Sequence, residues 1–266
     1  MKKILAIVNT LSVVLVLAVN GLSQSQRWNN TTIGELSNKY DNLFTPAGYA
    51  FAIWGIIFLM LIAYSLFQIR RAFFSKKESP FIEQTGWWFT IANICNASWV
   101  VAFTYEYVGL SVVIMIILLV SLLQIIRNTN MERWDAPIEV IAFVWWPICI
   151  YAGWITVATI ANFSAFFASI EFTGTEFTQI LWTMIMISIA VLLNMFMVWL
   201  RNLREFALVA VWALFAIYVR HKDNIESIAY YALCGAILLI FVISLHAFNN
   251  RKTAPHIKLK ERLQGK

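Results

Sequence analysis

Apolar residues run on with little interruption over eight stretches of the chain, near 3–22, 47–69, 86–105, 108–126, 137–162, 178–200, 204–219 and 226–248. About 20 such residues in a helix cross a hydrocarbon core of roughly 30 Å, so the pattern predicts eight transmembrane helices. Strands do not fit: the runs are continuous rather than alternating, and an open sheet edge could not satisfy its backbone in lipid. Between the runs lie polar connections. Residues 24–45 carry Asn29, Asn30, Thr31, Thr32, Gly34 and Asn38, long and hydrophilic enough to fold over the mouth of a bundle. The segments SKKESP, 128–136 and 164–176 are further loops, and Tyr105-Glu106-Tyr107 is a very short turn.

Inside the runs, stripes appear at helical spacing. In the fifth run, YAGWITVATIAN over 151–162 stacks Trp154, Ala158 and Asn162 at i, i+4 and i+8, an indole, a gap and an amide on one face. Ala152, Gly153, Thr156 and Ala161 surround them, small enough for neighbouring helices to approach closely. Pro147 lies well inside the same run and is expected to kink it or free a carbonyl. The second run opens at Pro46, where a missing N–H costs least, and repeats Ala47, Phe51, Trp54 and Phe58 as an aromatic stripe. The third aligns Asn96, Trp99 and Phe103, with Asn93 nearby; amides in lipid are costly unless paired, so this face belongs inside the bundle. The fourth is mostly Val, Ile and Leu and reads as a lipid-facing wall.

Composition agrees with a membrane-embedded chain: 61% of residues are hydrophobic, 13% are charged, and mean hydropathy is +0.72. The net charge of +6 does not imply nucleic acid, because of where the basic residues fall. With the N-terminus inside, sixteen of the 20 Lys and Arg lie on the cytoplasmic side, and only Arg27, Lys39, Arg220 and Lys222 on the other. That division fits the positive-inside rule for eight spans with both termini cytoplasmic, and the basic tail over 251–266 is expected against anionic headgroups. Residues 1–23 have the build of a signal peptide, but the charge pattern uses them as the first crossing.

The chemistry of the runs is sparse. No buried Asp or Glu is expected in any span, which argues against an ion-driven pump. No Ser or Cys has a His in a plausible local motif. Cys95, Cys149 and Cys234 lie in different runs without CxxC spacing, and His221, His246 and His256 form no cluster, so neither a metal site nor a required cofactor is expected. What remains is a bundle lined by indoles, phenyl rings and a few amides, suited to a large, flat, mostly apolar ligand, although packing alone accounts for the same spacing.

Three segments carry a family resemblance. Pro46, Phe51 and Trp54 are similar to the PP…F..VW..LY pattern of the translocator protein or tryptophan-rich sensory protein family, also called the peripheral benzodiazepine receptor family; Asn96-Ala97-Ser98-Trp99 with Phe103 resembles its LN..W…FF element, and residues 151–162 resemble its YLAW..FAT.LN. The resemblance covers about residues 1–163. It implies a five-helix bundle with a three-helix extension over 164–250, before the tail.

By that resemblance, Phe51, Trp54, Phe58, Asn96, Trp99, Phe103, Trp154 and Ala158 would bind the ligand, a tetrapyrrole or another flat apolar molecule. Trp54 and Trp154 match the tryptophans implicated in light-dependent porphyrin breakdown and are the catalytic candidates; Ala158 matches the small residue beside the ligand. Membrane lipids and a small apolar ligand are the implied partners, with a homodimer whose usual interface the three extra runs could cover. Ile57-Phe58 stands where the family has Leu-Tyr, and Phe163-Ser164 follows Asn162, so sterol recognition is not implied. Sensing by binding, transport of a lipophilic metabolite and photochemical degradation all stay open. A pocket reading requires Trp54, Trp99 and Trp154 to converge on one cavity of about 300–1,000 Å³.

Overall fold

A computed structural model describes residues 1–172, 174–251, 257 and 259. The tail expected over 251–266 falls almost wholly outside them. The elements are α1 (Lys2–Gln26), α2 (Ile33–Lys39), α3 (Ile53–Phe73), α4 (Phe81–Thr85), α5 (Trp88–Thr104), α6 (Val108–Asn128), α7 (Ile138–Val140), α8 (Trp146–Ser169), α9 (Glu176–Arg201), α10 (Arg204–His221) and α11 (Glu226–Asn249). Tight 3-10 turns cover Trp28–Asn30 and Gly48–Ala52, and a wide π turn covers Ile141–Trp145. Among the described residues the fold is all-α.

Each apolar run forms one long helix. Six are long and apolar enough to cross a membrane: Lys2–Gln26, Gly48–Phe73, Val108–Asn128, Ile138–Ser169, Glu176–Arg201 and Glu226–Asn249. Of the other two, α5 has 17 residues, and α10 carries Arg204, Glu205 and Arg220 within its 18. Contacts at the two ends fix the alternation of direction. At one end Lys2 pairs with Glu83, and Arg201 donates to the Ile126 carbonyl at 3.0 Å. At the other, Asn29 donates to the Thr104 carbonyl at 3.1 Å, Lys39 pairs with Glu106, and Arg220 pairs with Asp41.

Helix α8 is the axis. Its apolar window is 78% buried against 28% for α9, and it packs on α3, α6 and α10. Close packing follows from its small residues: a Cβ on Gly153 would stand 2.5 Å from the Phe206 carbonyl oxygen, so α10 rests directly on the α8 backbone. α1 lies against α3 and α5, while α11 covers α9 and α10. One hydrophobic cluster runs from Leu5 through Trp154 to Leu239, so the last three helices share a core with the first five.

The wide turn before Pro147 is the distortion expected from a ring that cannot donate to the preceding turn. Other details differ from the sequence reading. α8 continues through residues 164–169, expected as loop, because Ser164 and Ser169 return their hydroxyls to the Ile160 and Phe166 carbonyls, and Phe166 packs on Gly109. α6 is lipid-facing on one side only; Ser111, Met115, Leu118 and Leu122 are buried against its neighbours. One carboxylate oxygen is enclosed: Glu205, half-buried in the first turn of α10, has its Oε2 shielded from solvent.

Candidate functional site

The aromatic stripes meet where α3, α5 and α8 face one another. A narrow cleft of about 50 Å³ is lined by Phe51, Trp54, Trp99, Phe103, Trp154 and Ala158, together with Thr45, Pro46, Ala161 and Asn162. The tryptophans do converge. Trp54 meets Trp154 edge to face at 6.4 Å, Phe51 meets Trp154 at 5.9 Å, and Trp99 stacks on Phe103 at 5.2 Å. Ala158 lies one turn beyond Trp154, where a larger side chain would close the cleft.

The narrow cleft by itself is far smaller than a ligand of the expected kind requires. Beside it lies a chamber of about 530 Å³ between α1, α2 and α3, sharing Ile33, Pro46, Phe51 and Trp54 with the cleft and reaching Phe58. Its mouth is polar, with Asn20, Gln24, Thr32 and Asn38. Gly21 and Gly48 line it too, and a Cβ on either would meet nothing within 4 Å, so these glycines leave volume that side chains would fill. α2 forms the rim, started by a capping box in which Thr32 and Glu35 satisfy each other's backbone N–H groups. Arg27 holds Glu35 at 2.8 Å, and that guanidinium keeps the Glu35 carboxyl below the usual carboxylate range.

The polar side chains behind this wall are nearly all paired. Asn96 is 1% exposed; its amide donates to the Tyr151 hydroxyl at 2.8 Å and accepts from Asn20 at 3.1 Å. It therefore positions Asn20, a chamber residue, and Tyr151, whose ring lies 6.2 Å from Trp54. Trp99 donates to Asn162 at 2.9 Å, and Asn162 in turn donates to Ser111 at 2.9 Å. Further along, Asn93 donates to Ser12, and Asn9 joins Gln68 and Thr90. Gln68 Nε2 and Asn93 Oδ1 keep no partner, and neither does the Trp154 indole N–H, which is buried in a side chain 2% exposed although its ring lines the cleft.

Seven of the eight ligand residues expected from the sequence, all but Asn96, line one or both chambers. The α1 wall of the chamber lies outside the stripes expected from the sequence. Leu17, Asn20, Gly21 and Gln24 recur at i, i+3, i+4 and i+7, a helical face that was open to reading in the first run.

One side of both chambers is held from outside the first five spans. Ala47 donates its backbone N–H to the Ala216 carbonyl at 3.2 Å, and Trp212 donates to the Ala50 carbonyl at 3.1 Å. Arg220 donates to the carbonyls of Asn42 at 3.2 Å and Thr45 at 2.6 Å, and His221 Nε2 bonds the Leu43 carbonyl at 2.9 Å. α10 thus fixes the backbone that presents Thr45, Pro46, Gly48 and Phe51.

Long apolar helices of alternating direction, packed around an aromatic cavity, define an integral multi-pass membrane protein. The chain belongs to the TSPO-like protein family, whose family model matches residues 6–245. The match begins in α1 and ends within α11, taking in the last three helices without a break at residue 163. No curated protein and no solved structure matches the chain.

Proposed function

We propose that this protein spans the membrane eight times with both termini cytoplasmic, and that it binds a flat, largely apolar molecule of tetrapyrrole type in the joined chambers. The observation that carries the reading is the convergence of Trp54, Trp99, Trp154 and Ala158 on one cleft, with the Trp154 N–H buried and unpaired. A buried donor without an acceptor costs about 1–3 kcal/mol, which a guest offering a nitrogen or oxygen lone pair would offset. The chamber of about 530 Å³ takes the body of the ligand, and the cleft takes its edge. Polar substituents would remain at Asn20, Gln24 and Asn38, at the mouth.

A second reading, photochemical breakdown of the bound ring, is favoured by the edge contact of Trp54 and Trp154 at 6.4 Å, which puts two oxidisable indoles side by side. Both readings are tested by titrating protoporphyrin IX into the purified chain in maltoside micelles. Binding gives a saturable Soret shift at one ring per chain; a shift that grows linearly with micelle concentration instead refutes the site. Under illumination, loss of the Soret band that Trp154→Phe abolishes at porphyrin concentrations saturating both proteins would establish the chemistry.

A further inference from the structure

A second cavity, of about 290 Å³, lies at the opposite end of the bundle and shares no residue with the two chambers. Four connections build it: the loop between α6 and α7, the π turn before α8, the turn between α9 and α10, and the end of α11. The π turn brings Trp145 edge-on to Trp134 at 5.5 Å, giving one aromatic wall. Asn202, in the left-handed region at φ 62°, donates to the Glu132 carbonyl at 2.7 Å, and its Oδ1 bonds His246 Nε2 at 3.0 Å. The cavity is therefore braced on several sides.

Its charges are unusual for a membrane bundle. Arg133 and Arg204 line it, and the Arg204 Nε is buried with no hydrogen-bond partner. α10 begins at Arg204 with no side-chain cap, so the positive end of that helix adds to the same wall. Arg201 stands behind, bonded to the Ile126 carbonyl. Glu132 and Asp135 also line it, and Glu205, next to Arg204 in the chain, keeps one oxygen buried without a partner. Burial pushes the Glu132 carboxyl up to about 8, helped by the charge of Glu205 and opposed by Arg204. His246, 4% exposed, supports the Asn202 side of the cavity from α11.

We infer that this cavity binds the phosphate group of a small anion or a lipid headgroup, with Arg204 and Arg133 as its cationic contacts. Donors come from two guanidinium groups and a helix N-terminus, more than the two oxygens of a carboxylate can use. A phosphate oxyanion has the oxygens to take them. The indole wall formed by Trp134 and Trp145 would lie against the apolar part of the same molecule.

The test uses the full chain in maltoside micelles, free of other phosphate. One arm titrates inorganic phosphate by calorimetry; the other adds phosphatidylglycerol and measures the lipid retained by native mass spectrometry. Saturable phosphate binding that Arg204→Gln weakens tenfold or more assigns a soluble source. Retained phosphatidylglycerol that Arg204→Gln releases, with no inorganic phosphate bound, assigns a lipid source. Arg204 is partly buried, so the exposed Arg133→Gln serves as the second variant and is expected to weaken the same arm about threefold, while Ala158→Phe leaves it unchanged. No binding in either arm, or binding that both arginine variants leave intact, overturns the site.

Discussion

Gly153 of α8 lies against the backbone of Phe206 in α10, so that a Cβ at position 153 would come within 2.5 Å of the Phe206 carbonyl oxygen. Backbone cannot step aside as a flexible side-chain tip can. Gly153→Ala is therefore expected to push α10 off α8 and to destabilise the chain by about 1–3 kcal/mol. A thermal melt in micelles checks this; an unchanged midpoint would mean that the two helices do not pack as described.

Arg220 ties α10 to the backbone beside the ligand chambers through the Asn42 and Thr45 carbonyls and the Asp41 carboxylate. Arg220→Gln is expected to raise hydrogen exchange across residues 42–50, ahead of any change in α5 or α6. It should also weaken porphyrin binding several-fold although Arg220 lines neither chamber. Exchange confined to α10 would contradict this clamp.

The Trp99–Asn162–Ser111 chain joins α5, α8 and α6 through buried bonds at 2.9 Å. Replacing Asn162 by Leu removes an acceptor from one partner and a donor from the other. The expected loss is roughly 0.6–2 kcal/mol, the range for polar bonds between membrane helices. Denaturation in mixed micelles measures it, and Ser111→Ala combined with the Asn162 change should cost less than the two separately.

At the turn between α5 and α6, Lys39 and the Tyr40 hydroxyl both bond the Glu106 carboxylate. Lys39, then Tyr40, hold the Glu106 carboxyl below its ordinary value, and burial followed by Glu106 pushes the Tyr40 phenol up to about 12. For a carboxyl lowered on folding, the stabilisation is present above its ordinary value of 4.5 and is lost as pH falls through the lower folded value. Anchoring of α2 to this turn should accordingly hold at neutral pH and fail in acid. Amide exchange at residues 36–40 reads this out, and in Glu106→Gln the acid step should disappear.

Much of this arrangement can be read from the chain. The continuous apolar runs locate the eight long helices, and the stripes at Trp54, Trp99 and Trp154 identify faces that do meet, because a helical period is a local property. The Arg204–Glu205–Glu132 group could not be read in this way. Glu132 reaches Asn202 only through a turn 70 residues further on, and neither carboxylate sits in the middle of a run. Asn96 illustrates the same limit: its spacing with Trp99 points it inward, but only the packed bundle gives its amide to Tyr151 and Asn20 rather than to the cavity. The extension of α8 to Ser169 is masked by the polar, acidic residues that follow it, while Ser164 and Ser169 satisfy their hydroxyls within the helix itself.

The central claim is that a flat ligand enters the cleft beside Ala158. Protoporphyrin IX fluorescence quenching, titrated with the parent chain and with Ala158→Phe, tests it most directly. Saturable quenching is expected for the parent chain and at least a tenfold loss of affinity in Ala158→Phe, with the melting midpoint preserved. Equal quenching by both would place the ligand elsewhere and leave Trp54, Trp99 and Trp154 as packing residues.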